Sequence, residues 1–110
     1  MKSTQADTIS QLNDRCRRSI PHSQCYLTPG VISAFGDNLS PVLDAVRGFD
    51  AFTRDNDPYG ENDFGKVVVA GISLFWKIDT YQDATLTHGA DDPLSPQAVR
   101  VITIMRVEEY

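Results

Sequence analysis

The stretch FGKVVVAGISLFWKID, residues 64–79, decides the fold of this chain. Residues 64–70 and 72–79 are dense in β-branched and aromatic side chains, the composition of strands. Ala70-Gly71 between them is a tight turn, so the two runs predict an antiparallel hairpin. Alternation along the second run puts Ile72, Leu74, Trp76 and Ile78 on one face. Ser73, Phe75, Lys77 and Asp79 take the other. Trp76 is therefore expected to anchor the core, and Lys77 and Asp79 can pair with each other or with the acidic loop before the hairpin.

That loop, TRDNDPYGEND at 53–63, carries turn chemistry at Asp57-Pro58 and Tyr59-Gly60. Further upstream, Ser40-Pro41 marks a helix start, with Ser as the cap and Pro at the first helical position. Val42, Leu43, Val46 and Phe49 follow at helical spacing, so the helix is expected over 40–52, weakened at Gly48. Residues 24–28 predict a short strand closed by Pro29-Gly30, and 31–35 one helical turn. Residues 4–18 predict a first helix. Thr4 is its cap, Asp7 lies in its first turn, Ile9, Leu12 and Cys16 form its apolar stripe, and Pro21 ends the segment. Arg15, Arg17 and Arg18 crowd its last turn, where cations suit the helix dipole, and read as a solvated helix end.

Downstream of the hairpin, ATLT at 84–87 is a candidate third strand and 91–96 a loop. Ser95-Pro96 repeats the Ser-Pro start, and Val99, Ile102 and Met105 follow at helical spacing. VRVITIM also has strand propensity, and the Ser-Pro start decides for a helix. The expectation is one α+β domain over residues 1–110. A small antiparallel sheet, the 64–79 hairpin plus one or two short strands, is packed by helices from 4–18, 40–52 and 96–108.

Composition narrows the function. With 110 residues, 41% hydrophobic and 23% charged, the chain is an ordinary globular length and cannot be a large multi-lobed enzyme. The net charge of -5 disfavours direct nucleic-acid binding, because polyanions are held mainly by Lys and Arg. No apolar run approaches a membrane span of roughly 20 residues. The opening residues have no apolar core, which predicts a cytoplasmic protein. Cys16 and Cys25 are then expected as free thiols; with His22 between them they still fall short of the four ligands of a zinc site.

The acidity is local. Between 37 and 63, Asp37, Asp44, Asp50, Asp55, Asp57, Glu61 and Asp63 face Arg47 and Arg54 alone, and Asp79, Asp83, Asp91 and Asp92 follow without a cation between 79 and 92. Asp55, Asp57, Glu61 and Asp63 could offer oxygens to a hard cation, and Asp55-x-Asp57 with Gly60 overlaps the start of an EF-hand loop. The match then fails at its twelfth position, Lys66, where a bidentate Glu is needed. Asn56 and Asp57 can equally shape a turn through their own backbone. There is no Gly-rich phosphate loop and no nucleophile elbow, and His22 and His88 stand in predicted loops. Catalytic and metal residues are accordingly not assigned, and no cofactor is expected. The surface is the candidate site: Asp55, Asp57, Tyr59, Glu61, Asp63, Asp79, Tyr81 and Asp83, acidic residues interleaved with the Tyr favoured at interface hot spots.

DNDPYGENDFG at 55–65, FWKIDTYQD at 75–83 and RVITIMRVEEY at 100–110 resemble a small bacterial family, the domain of unknown function 3768. LNDRCRR at 12–18, LTPGV at 27–31 and VRGFDAFT at 46–53 extend the resemblance along nearly the whole chain. The family pattern often has His where Asn62 stands and Tyr where Thr80 stands. The resemblance implies no activity. It implies a short protein of plasmids, phages and other mobile regions, with roles in transfer, maintenance or counter-defence. The first expectation is a non-enzymatic protein-binding module, such as an anti-CRISPR type inhibitor. Its acidic face would block a basic, nucleic-acid-binding surface on a protein partner, with no direct contact to nucleic acid or membrane. Two alternatives are a small metal-dependent enzyme or metal-binding protein using the 55–63 loop, and a structural or regulatory homodimer.

Overall fold

In the computed structural model, residues 5–20 and 24–110 are described, with side chains from residue 8 onward. The elements run α1 (Gln5–Arg18), β1 (Gln24–Leu27), α2 (Pro29–Phe35), α3 (Ser40–Arg47), β2 (Phe64–Val69), β3 (Ile72–Tyr81), β4 (Val99–Arg106) and a 3-10 turn at Val107–Glu109. The readings of Thr4, Pro21 and His22 lie outside the described residues. The architecture is α+β. The sheet order is β1-β4-β3-β2, antiparallel except for the parallel pair β1 and β4.

The hairpin forms as its sequence reads. Val69 pairs with Ile72 across Ala70 and Gly71, both at positive φ (50° and 78°), the backbone that matches the twist of two antiparallel strands. Leu74, Trp76 and Ile78 are buried on one side of β3. Trp76 sits opposite Gly65 and Ile104, and Phe49 and Phe52 meet its ring edge-on at centroid distances of 5.5 and 6.0 Å. Gly65 is required there: a Cβ at that position would lie 2.6 Å from Trp76 Nε1 and 2.8 Å from Phe49 Cζ.

The expected helix at 96–108 is a strand. Ser95-Pro96 closes a turn instead, with Ser95 N–H donating to Asp92 O at 3.1 Å and Ala98 N–H to Ser95 O at 3.0 Å. The β-branched run that follows becomes β4, which occupies the sheet interior and pairs on both sides, with Ile102 and Ile104 fully buried. Two neighbours waiting for hydrogen bonds outweigh a local start signal. The candidate strand at 84–87 is a turn held by Asp83, whose carboxylate accepts from Thr85 N–H and the Thr85 hydroxyl. α3 begins at Ser40 as expected, but Leu39 holds the cap position and Ser40 makes no capping bond. The helix stops at Arg47, where Gly48 N–H closes on Asp44 O, rather than at Phe52. α2 runs for seven residues, longer than the single turn expected.

Cys16, Ile20, Val31, Val42 and Val46 pack from the helical side against Leu74, Trp76, Ile78, Ile102 and Ile104. All three α-helices therefore cover one face of the sheet. Each such side chain removed from water contributes on the order of 1.5–3 kcal/mol. Cys16 is buried and Cys25 half-buried, and neither is in a disulfide; burial, and then the nearby Cys16, push the Cys25 thiol up to about 11. No described helix is long and apolar enough to cross a membrane.

Candidate functional site

The 53–63 loop is organised by its own side chains. Thr53 N–H donates to Asn56 Oδ1 at 2.9 Å, Asn56 N–H to Thr53 Oγ1 at 3.3 Å, and Asn56 Nδ2 to Ala51 O at 2.9 Å. Asp57 turns inward and is buried. Its Oδ1 accepts the backbone N–H of Glu61 and of Asn62, each at 3.1 Å. Those bonds let Asn62 hold a positive φ of 55°. Asp57 is thus the residue that shapes the loop, through the backbone groups it gathers.

The loop docks on α1 through a polar network that the sequence reading missed. Asn13, 2% exposed, donates Nδ2 to Glu61 O at 2.9 Å and accepts Arg100 Nε at 2.9 Å; Arg100 Nη2 reaches Pro93 O at 2.8 Å. Asn62 Nδ2 donates to the Asp14 carboxylate at 3.2 Å, and Asp14 accepts Arg17 Nη1 at 2.8 Å. Arg15 and Arg18 are exposed as a helix end should be, but Arg17 is 1% exposed and its guanidinium lies 5.4 Å from the ring centroids of both Phe52 and Trp76. A delocalised cation tolerates such burial where one carboxylate and two aromatic faces meet it. Spacing held the clue. Ile9, Asn13, Cys16, Arg17 and Ile20 recur at i, i+4, i+7, i+8 and i+11, one continuous inward stripe with two polar members.

The remaining predicted residues fall into two groups. Asp55 and Tyr59 stand out from the loop, Tyr59 at 80% exposure. Glu61 and Asp63 are half-buried at its end, where Asp63 O accepts Ile78 N–H at 2.8 Å and so ties the loop to β3. Burial first, then the charges of Asp63 and Asp57, raise the Glu61 carboxyl above its ordinary range. The Asp63 carboxyl is raised chiefly by burial, a backbone hydrogen bond opposing it, and further by Asp57 and Asp79. Four carboxylates therefore share one field. Lys77 Nζ meets Asp79 Oδ2 at 2.8 Å, and that bond holds the ammonium above its usual value. Tyr81 lies at the end of β3, bridged to Gly89, and Asp83 is occupied by Thr85, which lowers its carboxyl. The structure thus gathers Asp57, Glu61, Asp63 and Asp79 and leaves Tyr81 at the far end of β3 and Asp83 in the 82–98 excursion.

Among the described residues, no three His, Cys, Asp or Glu side chains converge as metal ligands would. A shallow hollow of about 180 Å³ lies beside Gln82, Ala90, Asp91, Asp92 and Ser95, away from the acidic loop. It is smaller than the roughly 300 Å³ at which small-molecule sites begin. The chemistry on offer is a surface: clustered carboxylates with an exposed Tyr beside them.

No curated protein and no solved structure matches the chain. One family model does, over residues 27–109, a span that takes in α2, α3 and the three strands β2, β3 and β4 and leaves α1 outside it. By that match the chain belongs to the family described as protein of unknown function (DUF3768).

Proposed function

We propose that the chain is a non-enzymatic protein-binding module whose acidic rim engages a basic surface on a protein partner, one that otherwise holds nucleic acid. Asp55, Tyr59, Glu61 and Asp63 form the contact, Asp79 adds its field from β3, and Asp57 keeps the loop in shape. Tyr81 and Asp83 border it. The observation that carries this reading is the placement of the rim: Asp55 and Tyr59 stand out from the loop, and Glu61 and Asp63 stand half-buried at its end, in the field of Asp57 and Asp79. Burial first, and then the repulsion of neighbouring carboxylates, disfavours the ionised forms of Glu61 and Asp63. Lys77 offsets Asp79 alone. A cationic partner relieves that repulsion and gains attraction at a place where the fold itself bears a cost. In its most concrete form the module is a counter-defence inhibitor of a nucleic-acid-handling complex, carried by a mobile element.

The test is association with a basic partner complex recovered from a host that carries nucleic-acid-targeting defences. Asp55→Lys with Glu61→Lys, leaving Asp57 in place, should slow association while the melting temperature holds. Wild-type association should weaken as salt rises, because exposed charges are screened over about 8 Å at physiological ionic strength. Equal binding by wild type and the double variant at low and high salt would refute the acidic rim. So would tight binding of the isolated chain to DNA or RNA.

A further inference from the structure

We propose that the turn after β4, residues 107–110, is a latched lid over an aromatic strip of the sheet, with Glu109 as its latch. The proposal does not rest on the acidic rim. Phe64 and Phe75 form the strip, their ring centroids 4.9 Å apart where β2 meets β3. Successive side chains on a strand point to opposite faces, so Phe75 stands away from its buried neighbour Trp76, on the face that the helices leave uncovered. The chain leaves β4 at Arg106, turns through Val107–Glu109 and brings Tyr110 back over the strip. The Tyr110 ring centroid lies 5.7 Å from Phe64 and 5.3 Å from Phe75, tilted to the first and edge-on to the second, as aromatic pairs prefer. With the turn in place both phenylalanines are half-buried, whereas Tyr110 is 76% exposed.

One carboxylate holds the turn. Glu109 Oε1 accepts the Thr28 hydroxyl at 2.7 Å and the Arg106 N–H at 2.8 Å, and Oε2 accepts the Gly30 N–H at 3.0 Å. The latch thus joins the end of β4 to the residue after β1 and to the start of α2. The Thr28 hydroxyl first, and then the Arg106 N–H, hold the Glu109 carboxyl below its ordinary range. Gly30 leaves the room for it: a Cβ there would lie 2.5 Å from Oε1 and 2.7 Å from Oε2. The carboxylate is the far end of a flexible side chain, so a methyl group would push it aside at small cost to the backbone and break the latch. The turn has little else to hold it. None of its residues is buried, Glu108 pairs back to Arg106 at 3.0 Å, and the Tyr110 N–H reaches Val107 O at 3.3 Å. A segment with exposed hydrogen bonds and little buried apolar surface opens far more readily than the core elements beneath it. β4 is fixed by Ile102 and Ile104, both fully buried. The lid therefore swings away while the sheet stays whole, and its opening bares Phe64 and Phe75.

The experiment is solution NMR of the full chain, read at the Tyr110 ring protons and at amide exchange, with binding of an apolar fluorescent dye as a second readout. In the wild type the Phe64 and Phe75 rings shift the Tyr110 ring signals away from free-tyrosine values. Glu109→Ala and Gly30→Ala should each return those signals toward free-tyrosine values. Each should also speed exchange of the Tyr110 amide roughly fivefold or more and raise dye binding. Exchange of the β3 and β4 amides should stay as in the wild type. Gly30→Ala separates a latch from general weakening, because Ala favours a helix more than Gly does: α2 should hold or strengthen while the lid loosens. Glu108→Ala, on the same turn, should leave the Tyr110 signals in place. Circular dichroism establishes that each variant is folded. Unchanged Tyr110 signals in either Glu109→Ala or Gly30→Ala would overturn the proposal, as would an equal response to Glu108→Ala. So would β3 and β4 amides that speed up together with Tyr110, because turn and sheet would then open as one body. Asp55→Lys with Glu61→Lys should not move the Tyr110 signals, so this proposal and the basic-partner reading fail separately.

Discussion

Gly65→Ala adds one methyl group and should cost more than most surface truncations. Gly65 faces Trp76 across the β2–β3 pair, and the new Cβ would sit 2.6 Å from Trp76 Nε1 and 2.8 Å from both Trp76 Cε2 and Phe49 Cζ. Real carbon contacts do not come so near, and none of these atoms is the free end of a flexible chain. Trp76 is fully buried, and Phe49 is wedged edge-on against both Phe52 and Trp76. Forcing extra volume into such a core costs about 1–3 kcal/mol. Against it stands the smaller entropy that Ala loses on folding, a gain of about 0.4–1 kcal/mol. The net expectation is a loss of about 1–2 kcal/mol, or roughly 4–10 °C in melting temperature for a domain near 100 residues. Urea unfolding followed by circular dichroism measures it. The cause is then isolated by a cycle with Trp76→Phe, which removes the atoms nearest the new methyl: Gly65→Ala should cost less in the Trp76→Phe background than in wild type, by about 1 kcal/mol. Additive losses would refute the steric argument, and a stabilised Gly65→Ala would refute the packing of Trp76 over this strand.

Two further outcomes test the loop and its dock. Asn13→Ala should lower stability by about 2–4 kcal/mol, because it strands Arg100 Nε and the Glu61 carbonyl in a buried setting; a loss below about 0.5 kcal/mol in urea unfolding would mean that the loop docks by other contacts. Glu61→Gln should stabilise the chain near neutral pH and give no gain in acid. The folded Glu61 carboxyl is raised above its ordinary 4.5, so in that window the folded state holds more protons than the unfolded, and stability falls as pH rises through it. Gln removes the falling contribution, whereas below about pH 4 the acid is protonated in both states. Unfolding at pH 7 and in acid checks the sign; an equal gain at both, or a loss at pH 7, would show that the repulsion is not felt.

What the sequence made legible were features whose cause is local. The hairpin needed a turn, two β-rich runs and an alternation, all contained within residues 64–79. The start of α3 needed Ser40-Pro41. The strand at 99–106 was not legible because its determinants are two other strands, and a periodic VRVITIM between a Ser-Pro pair and a charged tail satisfies a helical pattern equally well. The candidate site divided along the same line. Exposed Asp55 and Tyr59 follow from loop composition, but the inward turn of Asp57 depends on which backbone groups the chain brings to it. The docking partners of the loop were hidden for a further reason: Asn13 and Arg17 occupy apolar-stripe positions with polar side chains, and hydropathy alone reads such residues as solvent-facing.

The pairing of residue 24 with residue 101 has a consequence for the order in which the chain can fold. β1 is a sheet edge whose one neighbour is β4, so during synthesis the N-terminal helix and strand leave the ribosome long before the strand that receives them exists. The hairpin can close within microseconds of emerging, since its contacts are local. Yet the β3 edge it offers stays unpaired until residues 99–106 arrive and are gripped from both sides. Sequence-distant pairing of this kind slows folding and prolongs the exposure of apolar surface. The sheet is therefore completed last at its interior, by the insertion of β4 between β1 and β3.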